Sequence, residues 1–136
     1  LMSQGDVESG EKIFKKCAAC HSIDKGGANK IGPALYNVVG RAVGGVTDYK
    51  YSKALASYGK EWTFEELNGF LQKPASYLKG TKMSYAGLRK EKDRASVIIF
   101  MNSKSSSPKP LNDEKKRFDF LVIAVLLKDR NQVIPL

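Results

Sequence analysis

Cys17-Ala18-Ala19-Cys20-His21 is the stretch from which the rest of this chain is read. It gathers both cysteines and the single histidine of a 136-residue chain into five consecutive positions. The C-x-x-C-H order reads as a site of covalent haem attachment. Two thiols add to the two vinyl groups on one edge of a porphyrin, and two intervening residues let both sulfurs reach that edge. The adjacent imidazole then lies under the iron as its proximal ligand.

Three other readings compete for the same five residues. A thioredoxin-like dithiol needs a βαβ setting and a helix that opens at the first cysteine; here the apolar pattern ends a helix there. Structural zinc usually takes four Cys or His ligands, and this chain offers three, crowded together. Chance occurrence is open to any protein, since the bare pentapeptide is only moderately specific. A disulfide framework is excluded, because one pair so close in sequence staples almost nothing.

Upstream of the motif, Asp6 is placed to cap a helix, with Glu8 in the first turn and Lys15 and Lys16 in the last. Val7, Gly10, Phe14 and Cys17 recur at helical spacing and mark its buried stripe. Downstream, Ser22 to Val46 reads as a loop rich in Gly and Lys, containing Gly32-Pro33. Ser52 to Tyr58 reads as a short helix closed by Gly59. Thr63 and Glu66 have the spacing of a capping box, Leu67, Phe70 and Leu71 share one face of the helix that follows, and Pro74 stops it. A loop covers Ser76 to Arg89. The last helix of the domain runs from Glu91 to Ser103, with Ala95, Ile98, Ile99 and Met101 toward the core and Phe100 reaching across to the first helix. Strand alternation is scarce, so the expectation is an all-α domain.

Ser103 to Pro110 is a linker by composition. Beyond it the charged stretch Asp113 to Arg117 leads into the apolar run Phe118–Leu127, interrupted by Asp119. That run is too short to span a bilayer, which takes about 20 residues. The opening Leu1-Met2-Ser3-Gln4 has neither a charged n-region nor an apolar h-region, and a mature or trimmed product is the expectation. Composition is that of a globular chain, 42% hydrophobic and 27% charged, and forces neither disorder nor a membrane bundle. The net charge of +9 favours acidic partners: a negative patch on another protein, an anionic membrane surface or nucleic acid.

An iron used only to pass electrons needs a sixth ligand that keeps its geometry constant. With no second histidine, the natural soft donor is methionine. Met2 lies in a terminus expected to fray, and Met101 lies on the apolar face of the last helix. Met83 lies in the Gly-containing loop Lys79-Gly80-Thr81-Lys82-Met83-Ser84-Tyr85-Ala86-Gly87. Core packing is the commoner role of a methionine; elimination and loop context select Met83 as the ligand. Thioether ligation raises the reduction potential. A haem enzyme or gas sensor with an open sixth site is the alternative, although no spare histidine is present for distal acid–base work. A nucleic-acid or membrane-surface module rests on charge alone, with no recognised motif beside it.

Taken together with the haem motif, Gly10 and Phe14, Gly32-Pro33, Gly40-Arg41, Tyr49, Tyr51, Trp62, Pro74, Tyr77, Gly80-Thr81-Lys82-Met83 and Phe100 resemble class I cytochrome c of the mitochondrial and α-proteobacterial kind. The resemblance covers Gly5 to Leu111. It implies a small class I cytochrome c fold, with helices and loops wrapped around one covalently bound haem c and the N- and C-terminal helices packed together. It also implies a cytochrome c domain over residues 1–111, leaving 112–136 as a C-terminal extension of unknown role. Through it, the Pro33 carbonyl receives the Nδ1–H of His21. Arg41, Tyr51 and Trp62 lie near the haem propionates with Tyr49 close by, and Thr81 belongs to the ligand loop. Trp62 and Tyr51 as plain core aromatics, and Arg41 as a solvated charge, are the bland alternatives.

The function so implied is a soluble one-electron carrier of a respiratory chain and not an enzyme. Its donor is a cytochrome bc-type quinol–cytochrome c reductase and its acceptor a cytochrome c oxidase, both engaged transiently through acidic docking surfaces, with no nucleic acid involved. Lys15, Lys16, Lys25, Lys30, Lys79, Lys82 and Lys90 flank the haem-bearing segments as docking charges. The implied location is a bacterial periplasm, with peripheral or N-terminally anchored membrane association before trimming, or the mitochondrial intermembrane space. One departure stands out: Lys79 occupies the place where the family usually has proline before Gly-Thr-Lys-Met. Without that restraint on φ the ligand loop is expected to be more mobile, and Lys79 and Lys82 to compete for the iron at alkaline pH.

Overall fold

The computed structural model describes residues 2–111. Residues 112–136, with the extension assigned to them and its apolar run Phe118–Leu127, lie outside the described residues. The described chain is all-α, with no strand among the described residues and one isolated bridge between Ala42 and Glu61. No helix among them is long and apolar enough to cross a membrane.

Helix α1 (Val7–Phe14) begins where Asp6, in extended backbone, accepts the Ser9 N–H at 2.8 Å. That satisfies a donor the first helical turn would leave unpaired. Lys12, not Lys15 or Lys16, stands in the last helical turn. Gly10 and Phe14 are buried as their spacing requires, but Val7 is 44% exposed. Ahead of it a single 3-10 turn, Met2–Gln4, lies against α5 and tucks Met2 in at 2% exposure. Asp6 N–H then donates to Ser96 Oγ at 3.1 Å, so backbone rather than the Val7 side chain meets the partner helix. Met2 is thus an interior residue and not part of a frayed end.

Helix α2 (Lys53–Ala56) is one turn, capped by Ser52 Oγ, which accepts the Leu55 N–H at 3.3 Å. Helix α3 (Phe64–Gln72) is capped by Thr63 Oγ1, which accepts the Glu66 N–H at 3.1 Å. Only this half of the capping box forms, because the Glu66 carboxylate turns instead to the hydroxyls of Tyr58 and Tyr77. Pro74 ends α3 and opens a further single turn, α4 (Pro74–Tyr77), as the first residue of that turn; proline is pre-set for this position. Helix α5 (Glu91–Ser103) has the bounds its pattern gives.

The core lies where α1 crosses α5 and α3 packs beside them. Phe14 and Phe100 meet across the crossing with ring centroids 5.5 Å apart, and Ala95 and Ile98 beneath them are fully buried. Burying each such apolar side chain is worth about 1.5–3 kcal/mol. The crossing is close because Gly10 has no side chain: a Cβ there would stand 1.9 Å from the Ser96 carbonyl oxygen. Arg94 is 4% exposed within this helix. Its guanidinium is satisfied by Asn68 Oδ1 at 2.7 Å and by the carbonyls of Leu88 and Arg89, each at 2.8 Å.

The serine- and proline-rich segment behind α5 is not a free linker. Asn37 donates its N–H to the Lys104 carbonyl at 3.0 Å and accepts the Ser106 N–H at 2.8 Å. Asn102 exchanges two hydrogen bonds with the Lys109 backbone, at 2.8 and 2.9 Å. Leu111 packs against the core. The cause is burial: Asn102 is enclosed, and an enclosed amide needs partners that a folded-back strap supplies.

Candidate haem site

The chain keeps winding past α1. Cys17 N–H donates to the Phe14 carbonyl at 2.7 Å, and the Cys17 carbonyl accepts from Cys20 at 3.0 Å and His21 at 2.9 Å. On such a turn residues three and four apart share a face, so both thiols and the imidazole lie along one helical edge. Both cysteines are free. Burial, reinforced by Cys20 and opposed by Lys16, pushes the Cys17 thiol up to about 11. A thiol–disulfide catalyst needs the reverse, a thiolate at neutral pH on a helix N-terminus. This motif sits at the end of a helix, and its Cys17 thiol stays protonated.

His21 Nδ1 is 2.7 Å from the Pro33 carbonyl. A carbonyl can only accept, so Nδ1 carries the proton and Nε2 keeps its lone pair for a metal. Burial holds the imidazole pKa below its ordinary value; the Pro33 carbonyl opposes this, and Arg41 and Lys30 reinforce it. The neutral ring is the ligating form. Its place is set by two backbone bonds, Gly32 N–H to the Cys20 carbonyl at 2.8 Å and Leu35 N–H to the Ser22 carbonyl at 2.9 Å. Gly32 is part of the socket, since a Cβ there would lie 2.2 Å from His21 Cε1.

Arg41 Nη1 donates to the carbonyls of Ala34 at 2.9 Å and Tyr36 at 3.2 Å. Its Nε is buried with no partner, the one such buried side-chain nitrogen or oxygen among the described residues. An unpaired buried donor on a cation is costly, and a carboxylate would relieve it. The Arg41 backbone pairs with Trp62, whose N–H donates to the Arg41 carbonyl at 2.8 Å. Trp62 is buried against Phe70 with centroids 5.0 Å apart. Tyr49 and Tyr51 pack edge to face at 4.9 Å. Tyr49 Oη donates to the Ile31 carbonyl at 2.6 Å, while Tyr51 Oη accepts the Val46 N–H at 3.1 Å.

Met83 lies in the loop after α4. Thr81 N–H donates to the Leu78 carbonyl at 3.0 Å, and Thr81 Oγ1 accepts the Met83 N–H at 3.3 Å. Met83 is half-buried against the core, whereas Met2 and Met101 lie inside it at 2% and 4% exposure. Lys82 stands 4.5 Å above the Tyr49 ring and donates to the Lys50 carbonyl. Tyr85, two residues past Met83, has its hydroxyl pKa raised by burial and then by Cys17 and Asp93. Two thiols and a free imidazole nitrogen on one edge, a buried donor lacking an anion, and a half-buried thioether fit a haem c.

Three features of this surrounding are not legible in the sequence. Gly32 was legible as part of a loop but not as a wall of the imidazole socket. Arg94 carries no signal of burial, since charged residues are ordinarily outside. Glu66 was legible only as a capping residue.

The chain matches the family model described as Cytochrome c over residues 7–105. It is 50% identical over 103 residues to a cytochrome c homolog of Rickettsia bellii, covering 76% of this chain and 60% of that one. A cytochrome c homolog of Bradyrhizobium diazoefficiens is 44% identical over 117 residues, with coverage of 85% and 64%. A cytochrome c of Gibberella zeae is 44% identical over 101 residues, 74% of this chain and 95% of its own length. The chain therefore spans roughly three fifths of the length of the Rickettsia relatives, 60% for the first of them. Among solved structures, cytochrome cH from Methylobacterium extorquens superposes with a TM-score of 0.69 at 36% identity, covering 74% of this chain and 100% of its own. Because the match runs from the first turn of α1 into the strap behind α5, taking in every helix from α1 to α5, the chain belongs to the cytochrome c family, whose members bind haem c and transfer electrons rather than act as enzymes.

Proposed function

We propose that this chain is a one-electron carrier of a bacterial respiratory chain, acting outside the cytoplasm. One haem c is attached through Cys17 and Cys20, with His21 and Met83 as axial ligands. The observation that carries the reading is the His21 imidazole, bound through Nδ1 to Pro33 at 2.7 Å with Nε2 left for a metal, on the same edge as both thiols. When bound, haem c supplies a ferric–ferrous couple that gains and loses one electron without bond making. The protein's residues hold and tune it. Pro33 fixes the imidazole tautomer and raises its basicity as a ligand. Arg41 offers Nε to a haem carboxylate, with Tyr49, Tyr51 and Trp62 completing that end of the pocket. Met83 gives a soft donor, and Thr81 fixes its backbone.

Residues 1–111 form the carrier in this reading, and 112–136 are an appended segment. The exposed Lys15, Lys16, Lys25, Lys30, Lys79, Lys82 and Lys90 steer it onto acidic surfaces of a cytochrome bc-type reductase and a cytochrome c oxidase. Opposite charges raise on-rates and make them fall with salt, as a transient shuttle requires. The bacterial relatives at 50% identity favour a periplasm over a mitochondrial intermembrane space, and peripheral membrane association is consistent with the basic surface.

The test is the absorption spectrum of the chain matured with haem, oxidised and reduced. The expected result is a sharp reduced α-band together with the weak red band that a methionine–ferric bond gives. An α-band without the red band moves Met83 off the iron and opens the sixth site to small ligands. No haem at all, from a host competent to attach it, overturns the reading.

A further inference from the structure

The Glu66 side chain, on α3, is only 14% exposed, yet its carboxylate serves neither the helix end nor a tight ion pair. Oε2 accepts two hydrogen bonds, from Tyr58 Oη at 2.7 Å and from Tyr77 Oη at 2.8 Å. Lys60 stands 3.5 Å from Oε1 and is itself largely in solvent. The Tyr77 ring lies over α3 at the one place that admits it: a Cβ at Gly69 would meet ring atoms at 2.3–2.9 Å. Tyr77 is therefore fastened to α3 twice, by ring contact and by hydroxyl.

Tyr77 is also the last residue of α4, and the path to Met83 starts from it. Leu78 is buried; its carbonyl accepts the Thr81 N–H at 3.0 Å, and Thr81 Oγ1 accepts the Met83 N–H at 3.3 Å. The far end of the loop is tied by Leu88 N–H to the Leu71 carbonyl at 2.8 Å. Between these ties the backbone has little intrinsic stiffness. Lys79 does not restrain φ as proline would, and Gly80 adopts φ of +92°. A loop without its own rigidity needs an anchor at its root.

We propose that Tyr77, bonded to Glu66 and seated on Gly69, is a positioning residue that keeps Met83 at the iron and does the work a proline at position 79 would do. The proposal rests on the reading of Met83 as an axial ligand. Tyr58 makes the same bond to the same carboxylate, but it belongs to the loop between α2 and α3, and its route along the chain to Met83 runs through all of α3. A contribution to fold stability alone would appear in both Tyr77→Phe and Tyr58→Phe. Positioning of Met83 would appear in Tyr77→Phe only.

The experiment uses the full chain matured with haem, in the ferric state, as wild type, Tyr77→Phe and Tyr58→Phe. Imidazole is titrated against the methionine–iron red band, and amide hydrogen exchange is followed at Thr81 and Met83. Tyr77→Phe is expected to raise the apparent affinity for imidazole about tenfold, the size set by losing one hydrogen bond to a charged group. Exchange at Thr81 and Met83 should quicken by a similar factor. Tyr58→Phe should stay within about twofold of wild type on both readouts, whatever it does to the thermal midpoint. Tyr77→Phe indistinguishable from wild type, or Tyr58→Phe moving both readouts as far, overturns the proposal. A wild type without the red band overturns the ligand reading itself, separately from the exchange comparison, which upholds or overturns the restraint by Tyr77.

Discussion

Replacing Gly10 by alanine tests the helix crossing on which this domain depends. The added Cβ would stand 1.9 Å from the Ser96 carbonyl oxygen, 2.6 Å from its carbonyl carbon and 2.8 Å from Phe100 Cβ. The first two are backbone atoms of α5, so no change of rotamer relieves them. To reach the 3.4 Å of ordinary contact, α1 and α5 must part locally by the difference, about 1.5 Å. Parting them loosens Phe14 from Phe100 and opens space above Ala95 and Ile98. Overpacking costs about 1–3 kcal/mol, and unyielding backbone puts this case at the upper end. Alanine returns about 1 kcal/mol through helix propensity, leaving a net loss of about 2 kcal/mol. For a domain of this size each kcal/mol moves the midpoint by about 4–8 °C, so Tm should fall by about 8–16 °C. The assay is thermal and urea unfolding of the haem-loaded chain by far-UV circular dichroism, with a lower urea midpoint at unchanged slope. A Tm equal to or above wild type would show that the crossing is not close-packed, and the reasoning would be refuted.

Gly32, Glu66 and Asn102 each carry a further expectation. Gly32→Ala drives a methyl into the His21 ring and should displace it from Pro33, so the yield of haem-loaded protein should drop severalfold; a normal yield with an unchanged spectrum would count against the socket. At Glu66 burial pushes the carboxyl pKa up, but Tyr58, Tyr77 and Lys60 outweigh it and hold it below the ordinary 4.5. A depressed carboxyl stabilises the fold above its unfolded value and loses that contribution as pH falls through the lower folded value. The urea midpoint of wild type should therefore exceed that of Glu66→Gln at pH 7, and the gap should close in acid below pH 4.5; a gap that widens on acidification would contradict the sign. Asn102→Ala removes both bonds to Lys109 and should cost about 1–2 kcal/mol. It should also speed tryptic cleavage after Lys104, and unchanged cleavage would mean the strap is not fastened there.

The local features of this fold were legible because their causes are local. Asp6 and Thr63 cap helices by reaching N–H groups three residues on, and Pro74 ends α3 for want of a donor, whatever the rest of the chain does. The α5 bounds, Glu91 to Ser103, follow from charge at one end and a polar, Pro-containing stretch at the other. The attachment motif was legible for the same reason. Its order encodes the spacing of two thiols and an imidazole on one turn, and the backbone bonds from Phe14 to His21 realise that spacing.

Features that depend on what lies across the chain were not legible. Val7 fits the apolar stripe of α1 as well as Phe14 does, but which residue enters the core depends on where α5 crosses, and Met2 is buried while Val7 is 44% exposed. Ser103 to Pro110 has a linker's composition, yet the buried Asn102 amide and the Asn37 turn draw it onto the domain. Glu66 has the right spacing for a capping box, but two phenols that converge from distant positions offer its carboxylate better bonds. Arg94 is buried only because Asn68 and two loop carbonyls surround it. The sequence by itself determined where α1, α3 and α5 begin and set Cys17, Cys20 and His21 on one turn, since these are settled within a few residues. Tertiary structure alone decided the buried set, the folded-back strap and the clamp at the root of the Met83 loop, because burial and hydrogen-bond satisfaction are set by neighbours that sequence distance does not reveal.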